Sequence, residues 1–372
     1  MKIAIEAQRL YRKDKHGMDF VILELIRELQ KTDLTNDYFI YTAPGKDRCL
    51  TSSGNFTFIE LKNSCYPVWE QLLLPLAIQK LKPDILHCTS NTAPVYCSVP
   101  LIITVHDVIY LEKRNGKYKS FYQSMGRIYR KLIVPFVIKK SKRIITVSNY
   151  EAERISKETG LADERISVIY NGVGKNFKPM EKSRKTNPYI PRESFLFFLG
   201  NTDPKKNTSN TLKAYSIYRE QSMHPLPLLI ADLEEKMIDD YLTPTESAII
   251  KPHLYLPGYI PNVYLPEIYN RAFVFLYPSL RESFGIPILE AMACGTPVIT
   301  SATSAIPEIA GNQAILINPE EPQKIAEKLL ELENNSHFYQ QQVCYGLKRA
   351  RGFSWSIAAG QLLTIYRSVN EQ

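Results

Sequence analysis

The chain has 372 residues, 44% of them hydrophobic and 23% charged, which is typical of a globular protein and too long for one ordinary core. No apolar run approaches the ~20 residues that a membrane span needs, and Glu6 and Arg9 near the start argue against a signal peptide. The six cysteines show no CxxC spacing, which argues against a zinc site or a disulfide framework. We therefore expect a cytoplasmic protein of two domains.

The first half of the chain alternates apolar runs with helical patterns, as a parallel α/β sheet requires. Amphipathic periodicity predicts a helix over 19–31 and another over 150–159, the second behind a cap at Ser148 and Asn149. Residues 1–177 are thus predicted to form one α/β domain. Its predicted strands are 3–7, 37–43, 84–88, 101–107, 143–148 and 166–172.

A polar, proline-bearing stretch over 178–193 is the predicted linker, and a second α/β domain is predicted over 194–352. Helical patterns cover 322–334 and 353–369, the latter within a C-terminal segment 353–372. The predicted strands of the second domain are 194–200, 226–232, 253–258, 272–278, 297–301 and 314–318.

The most informative motif is YPSLRESFGIPILEAMACG, which starts at Tyr277. It predicts a strand end, a tight loop and a helix that Pro287 opens, since proline is well tolerated at a first helical position. Glu282 then lies in the loop, and Glu290 is predicted in the first helical turn. Carboxylates beside a helix N-terminus can bind hydroxyls while the unpaired helical N–H groups bind an anion. Hydroxyls next to a diphosphate are the chemistry of a nucleotide-sugar.

This motif strongly resembles the E-x7-E signature of the retaining glycosyltransferases of family 4, from which it departs at Ser283, where glycine is commoner. The resemblance extends over essentially the whole chain. It implies the GT-B fold, in which two doubly wound, Rossmann-like domains face a central cleft and a C-terminal helix crosses back to the first domain. It also implies that the first domain binds the acceptor and the second binds the nucleotide-sugar.

The resemblance assigns roles to the motif residues. Glu282 would hold hydroxyls of the donor sugar, and Glu290 would hold the ribose hydroxyls. Gly285, Ile286 and Pro287 would shape the sugar pocket, with backbone N–H groups of Gly285 and Ile286 reaching it. The family needs neither a metal nor a cofactor, so none is expected here.

A second candidate site follows the first predicted strand of the second domain, where Gly200, Lys205 and Lys206 lie. A lysine at such a strand end can neutralise a diphosphate as a point charge. The family has Gly-Arg-x-x-x-x-Lys at this position, and Lys206 matches its lysine. Asn201 occupies the arginine position, so Lys205 or Arg281 is expected to supply the missing phosphate contact.

Two first-domain residues complete the candidate site. Gly17 lies between the first strand and the 19–31 helix, where a glycine lets backbone approach a phosphate or sugar. His106 follows a predicted buried strand, and the matching family histidine lies near the reacting centre. The plainer alternatives are an ordinary loop glycine and a structural histidine.

Basic residues are concentrated in 112–143, which holds eleven Lys and Arg against Glu112 alone, a net charge of +10. Aromatic and aliphatic residues, including Tyr129, Ile133 and Phe136, are interleaved with them. Three interpretations are open: an anionic membrane surface, a solvated helical face, or a nucleic-acid footprint. We favour the membrane surface and do not expect nucleic acid as a partner.

The resulting prediction is a retaining hexosyltransferase with His106, Lys206 and Glu282 as catalytic residues. The favoured donor is GDP-mannose. The acceptor is a saccharide, in particular a lipid-linked one of polysaccharide or O-antigen assembly at the inner membrane face. The alternatives are a UDP-sugar-dependent transferase, an epimerase or a phosphorylase on the same fold, a nicotinamide dehydrogenase, or a scaffold without activity. A dehydrogenase is disfavoured because neither domain has GxGxxG.

Overall fold

The computed structural model of the chain describes residues 1–13, 15, 17–62, 65–109, 121–181 and 187–371, with the backbone alone for 121–125. The chain divides into two compact units. The first comprises Met1–Gly172 together with Ser354–Gln372, and the second comprises Val173–Phe353. The sheet architecture of both units is that of the predicted α/β class.

The first unit contains a sheet of seven parallel strands in the order β3-β2-β1-β4-β5-β6-β7. Because the order reverses between β1 and β4, the carboxyl ends of these two strands flank the switch point of a doubly wound sheet. The strands are β1 (Lys2–Glu6), β2 (Asp37–Thr42), β3 (Phe56–Glu60), β4 (Ile85–Cys88), β5 (Leu101–Thr104), β6 (Arg143–Thr146) and β7 (Ile166–Val168).

The edge strand β3 has no counterpart among the predicted strands. Only Phe56 of this strand is buried, whereas all residues of β4 and β5 are. Strands buried on both faces read as continuous apolar runs, and a half-covered edge strand does not.

The helices of the first unit pack on this sheet. They are α1 (Gly17–Thr32), α2 (Tyr66–Val68), a π-helical turn (Trp69–Leu73), α3 (Leu74–Leu81), α4 (Phe121–Lys140), α5 (Asn149–Thr159), a 3₁₀ turn (Asp163–Arg165) and, after the second unit, α13 (Trp355–Asn370). Helix α5 begins as predicted, because the Ser148 side chain accepts a hydrogen bond from the Glu151 N–H.

The second unit contains six parallel strands in the order β10-β9-β8-β11-β12-β13, so its switch point lies between β8 and β11. The strands are β8 (Phe195–Leu199), β9 (Leu228–Ala231), β10 (Leu254–Gly258), β11 (Ala272–Tyr277), β12 (Val298–Ser301) and β13 (Ile315–Ile317). All six coincide with predicted apolar runs.

Helices of the second unit fill the connections between these strands. They are α6 (Thr208–Gln221), α7 (Pro244–Ile250), α8 (Leu265–Arg271), α9 (Ile286–Ala293), α10 (Ile306–Ala310), α11 (Pro322–Asn334) and α12 (Ser336–Ala350), with 3₁₀ turns at Pro204–Lys206, Glu235–Met237, Lys251–His253 and Asn262–Tyr264. Apolar side chains of α6 and α11, including Leu212 and Leu329, pack with the strands into one buried cluster.

The division between the units falls at Gly172 and Val173, before the predicted linker 178–193. The Val173 N–H donates to the Phe353 carbonyl oxygen at 3.2 Å, so the outgoing and returning chains are joined at this point. Residues 182–186 of the predicted linker lie outside the described residues.

The predicted return of the C-terminal helix to the first domain is confirmed, since α13 packs against α1 and β4. Its buried Tyr366 hydroxyl lies 2.7 Å from His87 Nδ1, and His87 Nε2 lies 2.8 Å from Thr104 Oγ1. Burial lowers the pKa of His87 to about 3, so the ring is neutral and both of its nitrogens are hydrogen-bonded. The C-terminal helix is therefore tied to β4 and β5 by a buried polar chain.

Among the helices of the described residues, none combines the length and apolar character that crossing a bilayer would demand.

We expect Tyr366→Phe to lower the free energy of unfolding by about 1–3 kcal/mol, because it leaves a buried ring nitrogen of His87 without a partner. The measurement is chemical denaturation followed by circular dichroism. Tyr96→Phe is the matched control, since Tyr96 is exposed in the same unit. Equal stability of the two variants would contradict the role of this hydrogen bond.

Candidate functional site

Most predicted site residues of the second unit meet at the carboxyl ends of β8 and β11. The loop after β8 carries Lys206, and the loop after β11 carries Glu282. Because these strands flank the switch point of the sheet, the loops diverge around a crevice where ligands bind in such folds.

The loop after β8 is fixed by its own polar side chains. Asp203 accepts a hydrogen bond from the Lys205 N–H, which starts the 3₁₀ turn, and Asn207 closes the turn in the left-handed conformation at φ 61°. Asn207 Nδ2 then donates to the Pro278 carbonyl oxygen at 3.0 Å, while the Leu280 N–H donates to the Lys205 oxygen at 2.7 Å. These two hydrogen bonds fix the position of one loop relative to the other.

Lys206 and Glu282 form a partly buried ion pair, with 2.8 Å between Nζ and Oε1. Lys206 Nζ also donates to the Tyr277 hydroxyl at 3.0 Å and lies 4.8 Å from the centre of that ring. Burial alone would lower the pKa of Lys206, but its interactions with Tyr277 and the Glu282 carboxylate outweigh it and raise that pKa. Burial would likewise raise the pKa of Glu282, but Lys206 lowers it, so both groups are charged at neutral pH.

An ammonium group has three N–H donors, and Glu282 and Tyr277 take two of them. Within the described part of the chain no third acceptor contacts Lys206. One donor and the positive charge are thus left for an anionic ligand.

The residues expected to replace the family arginine have other contacts. Asn201 Oδ1 accepts from the Asp203 N–H at 2.9 Å, so this side chain shapes the loop. Arg281 donates to the Glu282 carbonyl oxygen at 3.0 Å. Lys205 is partly exposed, and its Nζ lies 3.7 Å from an Asp203 carboxylate oxygen.

The helix that follows Glu282 begins at Ile286, with Gly285 before it and Pro287 in its first turn. Gly285 has φ 95°, a left-handed conformation that side chains rarely adopt, and a Cβ there would lie 3.1 Å from the Ile288 side chain. The left-handed glycine therefore lets the chain turn from the loop into α9; its contribution to a sugar pocket stays a prediction.

The prediction that Glu290 lies in the first turn of this helix was wrong. Because α9 begins at Ile286, its first turn carries no acidic residue and Glu290 lies one turn further on. Its carboxylate faces the Tyr269 hydroxyl of α8 at 3.4 Å. Burial raises the pKa of Glu290 to about 8, only partly offset by that hydrogen bond, so a hydroxyl-rich ligand would meet a carboxyl group poised to ionise.

Gly200 has a packing reason of its own. A Cβ at this position would lie 2.3 Å from the buried Phe198 ring, so a larger residue would displace part of the core. The chain thus needs this glycine whether or not a ligand approaches it.

The two predicted first-unit residues follow β1 and β5, at the carboxyl edge of their own sheet. Gly17 is the first residue of α1 and has open space where a Cβ would stand. His106 is buried, and its Nε2 lies 2.9 Å from the Thr89 carbonyl oxygen, which fixes the proton on Nε2. Burial lowers the pKa of His106, so its ring is a neutral acceptor through Nδ1.

Over the residues that the structure describes, no group of three His, Cys, Asp or Glu side chains converges as a metal site would need.

Sequence reasoning missed Tyr277, although its hydroxyl contacts Lys206 directly. The available signal was its position as the last residue of β11, where a side chain of a buried strand emerges at the ligand edge. It also missed Ser304, whose Oγ accepts from the Glu282 N–H at 3.0 Å, because this contact spans separate loops.

Comparison with known families agrees with this geometry. Residues 16–176 match the family described as Glycosyltransferase Family 4, and residues 179–349 match Glycosyl transferases group 1. The chain belongs to glycosyltransferase family 4. The predicted family is thus confirmed, and its two matched segments correspond to the two units.

Three similar proteins illustrate the relationship. The chain is 26% identical over 232 residues to O-antigen chain mannosyltransferase B of Escherichia coli, covering 61% of each protein. It is 24% identical over 307 residues to the serotype-specific mannosyltransferase WbdA of Escherichia coli, covering 76% of this chain but only 37% of that relative. The structure of Anabaena Alr3699/HepE in complex with UDP and glucose superposes with a TM-score of 0.72 at 15% identity, covering 99% of this chain and 100% of the other. The predicted GT-B fold is confirmed by this similarity.

We expect the partly buried Glu290 to make the protein less stable as the pH rises. A carboxyl group whose pKa is about 8 in the folded state and 4.5 otherwise contributes stability that is complete below pH 4.5 and is lost as the pH rises through 8. Glu290→Gln removes this titration, so its thermal midpoint should gain on the wild type between pH 5 and pH 9.

The measurement is the thermal midpoint of both proteins across this pH range, with Glu220→Gln as control, because Glu220 is exposed in the same unit. Parallel curves for wild type and Glu290→Gln would show that the pKa of Glu290 is not raised in the folded protein.

Proposed function

We propose that this protein is a retaining glycosyltransferase that moves a hexose, with mannose favoured, from a nucleotide-diphosphate sugar to a saccharide acceptor. The observation that carries the proposal is the Lys206–Glu282 pair beside the N-terminus of α9. It places a positive charge, free N–H groups and a hydroxyl-binding carboxylate within one crevice.

The reaction breaks the bond between the anomeric carbon and a phosphate oxygen. Positive charge develops on the sugar and negative charge on the phosphate, so catalysis requires fixed positive groups directed at the phosphate. The third N–H of Lys206 and the first turn of α9 serve this purpose. Glu282 would keep one oxygen on Lys206 and hold a sugar hydroxyl with the other.

The carboxylates of the two crevice loops already have other contacts: Asp203 accepts a hydrogen bond from the Lys205 N–H, and Glu282 pairs with Lys206 and is proposed to hold a sugar hydroxyl. We therefore favour attack by the acceptor hydroxyl on the face from which the phosphate leaves. The acceptor oxygen bonds to the anomeric carbon, and its proton passes to the departing phosphate oxygen, so configuration is retained. His106, as a neutral acceptor, is proposed to orient a sugar hydroxyl.

The sugar and acceptor class are inferred from the relatives. Two are described as mannosyltransferases, one of them of the O-antigen chain, which supports mannose and a cell-surface polysaccharide acceptor. The Anabaena protein of similar fold was solved with UDP and glucose, which keeps a UDP-sugar donor as the alternative.

The test of transfer is incubation of the protein with GDP-mannose, UDP-glucose or UDP-N-acetylglucosamine and a mannose-containing acceptor. We expect product from GDP-mannose with the anomeric configuration of the donor, as seen by NMR. Lys206→Met should lower kcat/KM by at least ~100-fold, since it removes the charge that stabilises the leaving phosphate.

Lys236→Met is the matched control, because Lys236 is an exposed lysine of the same unit. Thermal midpoints of both variants identify any loss of fold. Unchanged transfer by a folded Lys206→Met protein would contradict the assigned site, and an inverted product would contradict retention.

We further propose that α4 and the neighbouring helical segment 66–81 lie on an anionic membrane surface. Helix α4 exposes Ile128, Leu132 and Phe136, at 59%, 61% and 65%, whereas Val134 and Val137 on its opposite face are buried. The exposed side chains recur every four residues and so form one stripe.

A second stripe runs beside the first. The segment 66–81 exposes Val68, Leu72 and Leu76, again at four-residue intervals. It is joined to α4 by the Tyr129 hydroxyl, which donates to Glu70 Oε2 at 2.5 Å and accepts from Gln71 Nε2 at 2.8 Å.

Exposed cations border the apolar stripes. Lys131, Lys139 and Lys140 are exposed on α4, and each cation near an anionic surface adds ~1 kcal/mol of attraction. Of the interleaved residues named from the sequence, Phe136 is exposed, whereas Ile133 packs towards the core and Tyr129 binds Glu70. Residues 112–120 of the basic segment lie outside the described residues.

Sedimentation with vesicles of phosphatidylcholine and phosphatidylglycerol tests this surface. Ile128→Ser/Leu132→Ser/Phe136→Ser should lower vesicle binding by about tenfold or more, because it removes the apolar contact. Met223→Ser/Val263→Ser, at exposed apolar positions of the other unit, should leave binding unchanged. Equal binding by both variants would remove the membrane proposal without affecting the transfer proposal.

A further inference from the structure

Asp232 is a site-edge residue to which the mechanism above gives no role. It directly follows β9, and β9 pairs with β8 on the side opposite β11. Its side chain therefore starts one strand away from the crevice that holds Lys206 and Glu282, at the same carboxyl edge of the sheet.

The backbone of Asp232 is held in an unusual conformation. Its φ is +60°, in the left-handed region that glycine adopts most readily, and its N–H donates to the Gly258 carbonyl oxygen at 3.0 Å. A side chain retained at such a position is a reason to look for a function. In this protein the residue with the unfavourable φ lies at the edge of the candidate ligand site.

The Asp232 carboxylate has no hydrogen-bond or ion-pair partner among the described residues. Its side chain is exposed, yet nearby protein atoms desolvate it enough to raise its pKa. A partly desolvated carboxylate without a donor can gain from a ligand that supplies N–H groups.

An aromatic side chain stands at the next strand end. Gly258, which accepts the Asp232 N–H, ends β10 with φ +71°, and Tyr259 follows it with 61% of its surface exposed. An exposed aromatic ring provides a stacking face for a planar base. A carboxylate and a ring thus occupy adjacent positions on one side of the crevice.

The spacing of the strands gives the distance between Asp232 and the expected phosphate position. Neighbouring strands lie ~4.8 Å apart, so the ends of β9 and β10 extend about 5–10 Å from the phosphate position at β8. In dinucleotide-binding doubly wound sheets, an acidic residue in this region hydrogen-bonds the ribose of the nucleoside. Glu290 is already proposed for the ribose, which leaves Asp232 for the base.

We propose that Asp232 selects a guanine nucleotide by accepting hydrogen bonds from the base N1–H and N2–H groups, with Tyr259 beside the ring. Guanine alone among the common bases presents two adjacent N–H donors on one edge. Uracil flanks its single N–H with two carbonyl oxygens that repel a carboxylate, and adenine has an unprotonated N1. This inference rests on the proposed function and adds the base of the donor to it.

Asp232→Asn tests the pairing through a change of preference. An amide oxygen still accepts from N1–H, but the amide NH₂ faces the guanine N2 donors and matches the O2 acceptor of xanthine. Wild type should bind GDP about tenfold or more tighter than inosine or xanthosine diphosphate, and Asp232→Asn should prefer xanthosine diphosphate. The measurement is titration calorimetry with GDP, inosine, xanthosine and uridine diphosphates.

Asp240→Asn is the matched control, because Asp240 is another exposed aspartate of the same unit and should keep the wild-type order. Retention of the GDP preference by Asp232→Asn would overturn the assignment. Selective binding of uridine diphosphate by wild type would also overturn it, while the transferase proposal would stand. Absence of binding by all four nucleotides would contradict both.

Discussion

The partly buried pair of Lys206 and Glu282 is the interaction on which the candidate site depends. Removing two charges from water costs several kcal/mol per ion, and only a close partner with further hydrogen bonds offsets this cost. The 2.8 Å contact and the Tyr277 hydroxyl meet this condition. These contacts form only while the loops after β8 and β11 keep their positions relative to each other. The charge that Lys206 offers to a ligand therefore depends on the conformation of both loops.

The relative position of the two loops is set by short polar side chains and by residues with a left-handed backbone conformation. Asn207 closes one loop at φ 61° and bonds the other through its amide, and Gly285 turns the second loop into α9 at φ 95°. Ser304 supports the Glu282 backbone from a third loop. The site is therefore already organised before any substrate binds, which reduces the reorganisation needed during catalysis.

Most strands could be predicted from the sequence because parallel strands buried on both faces appear as apolar runs. The edge strand β3 was not predicted from the sequence because three of its five residues are only partly buried. No helix was predicted over 66–81, because a π-helical turn and two prolines interrupt the regular helical periodicity of this segment. The position of Glu290 in the helix was misjudged by one residue because Ile286, not Pro287, begins the helix.

The sequence by itself determined the family, the α/β class and the residues Lys206, Glu282 and Glu290, since these depend on local order along the chain. Only the tertiary structure decided that Lys206 and Glu282 form an ion pair, that Tyr277 joins them, and that desolvation raises the pKa of Glu290 to about 8. The same holds for the Asp232 carboxylate at the end of β9, which has no polar partner among the described residues. Distances and desolvation arise from packing between segments far apart in the chain, and a sequence pattern does not contain them.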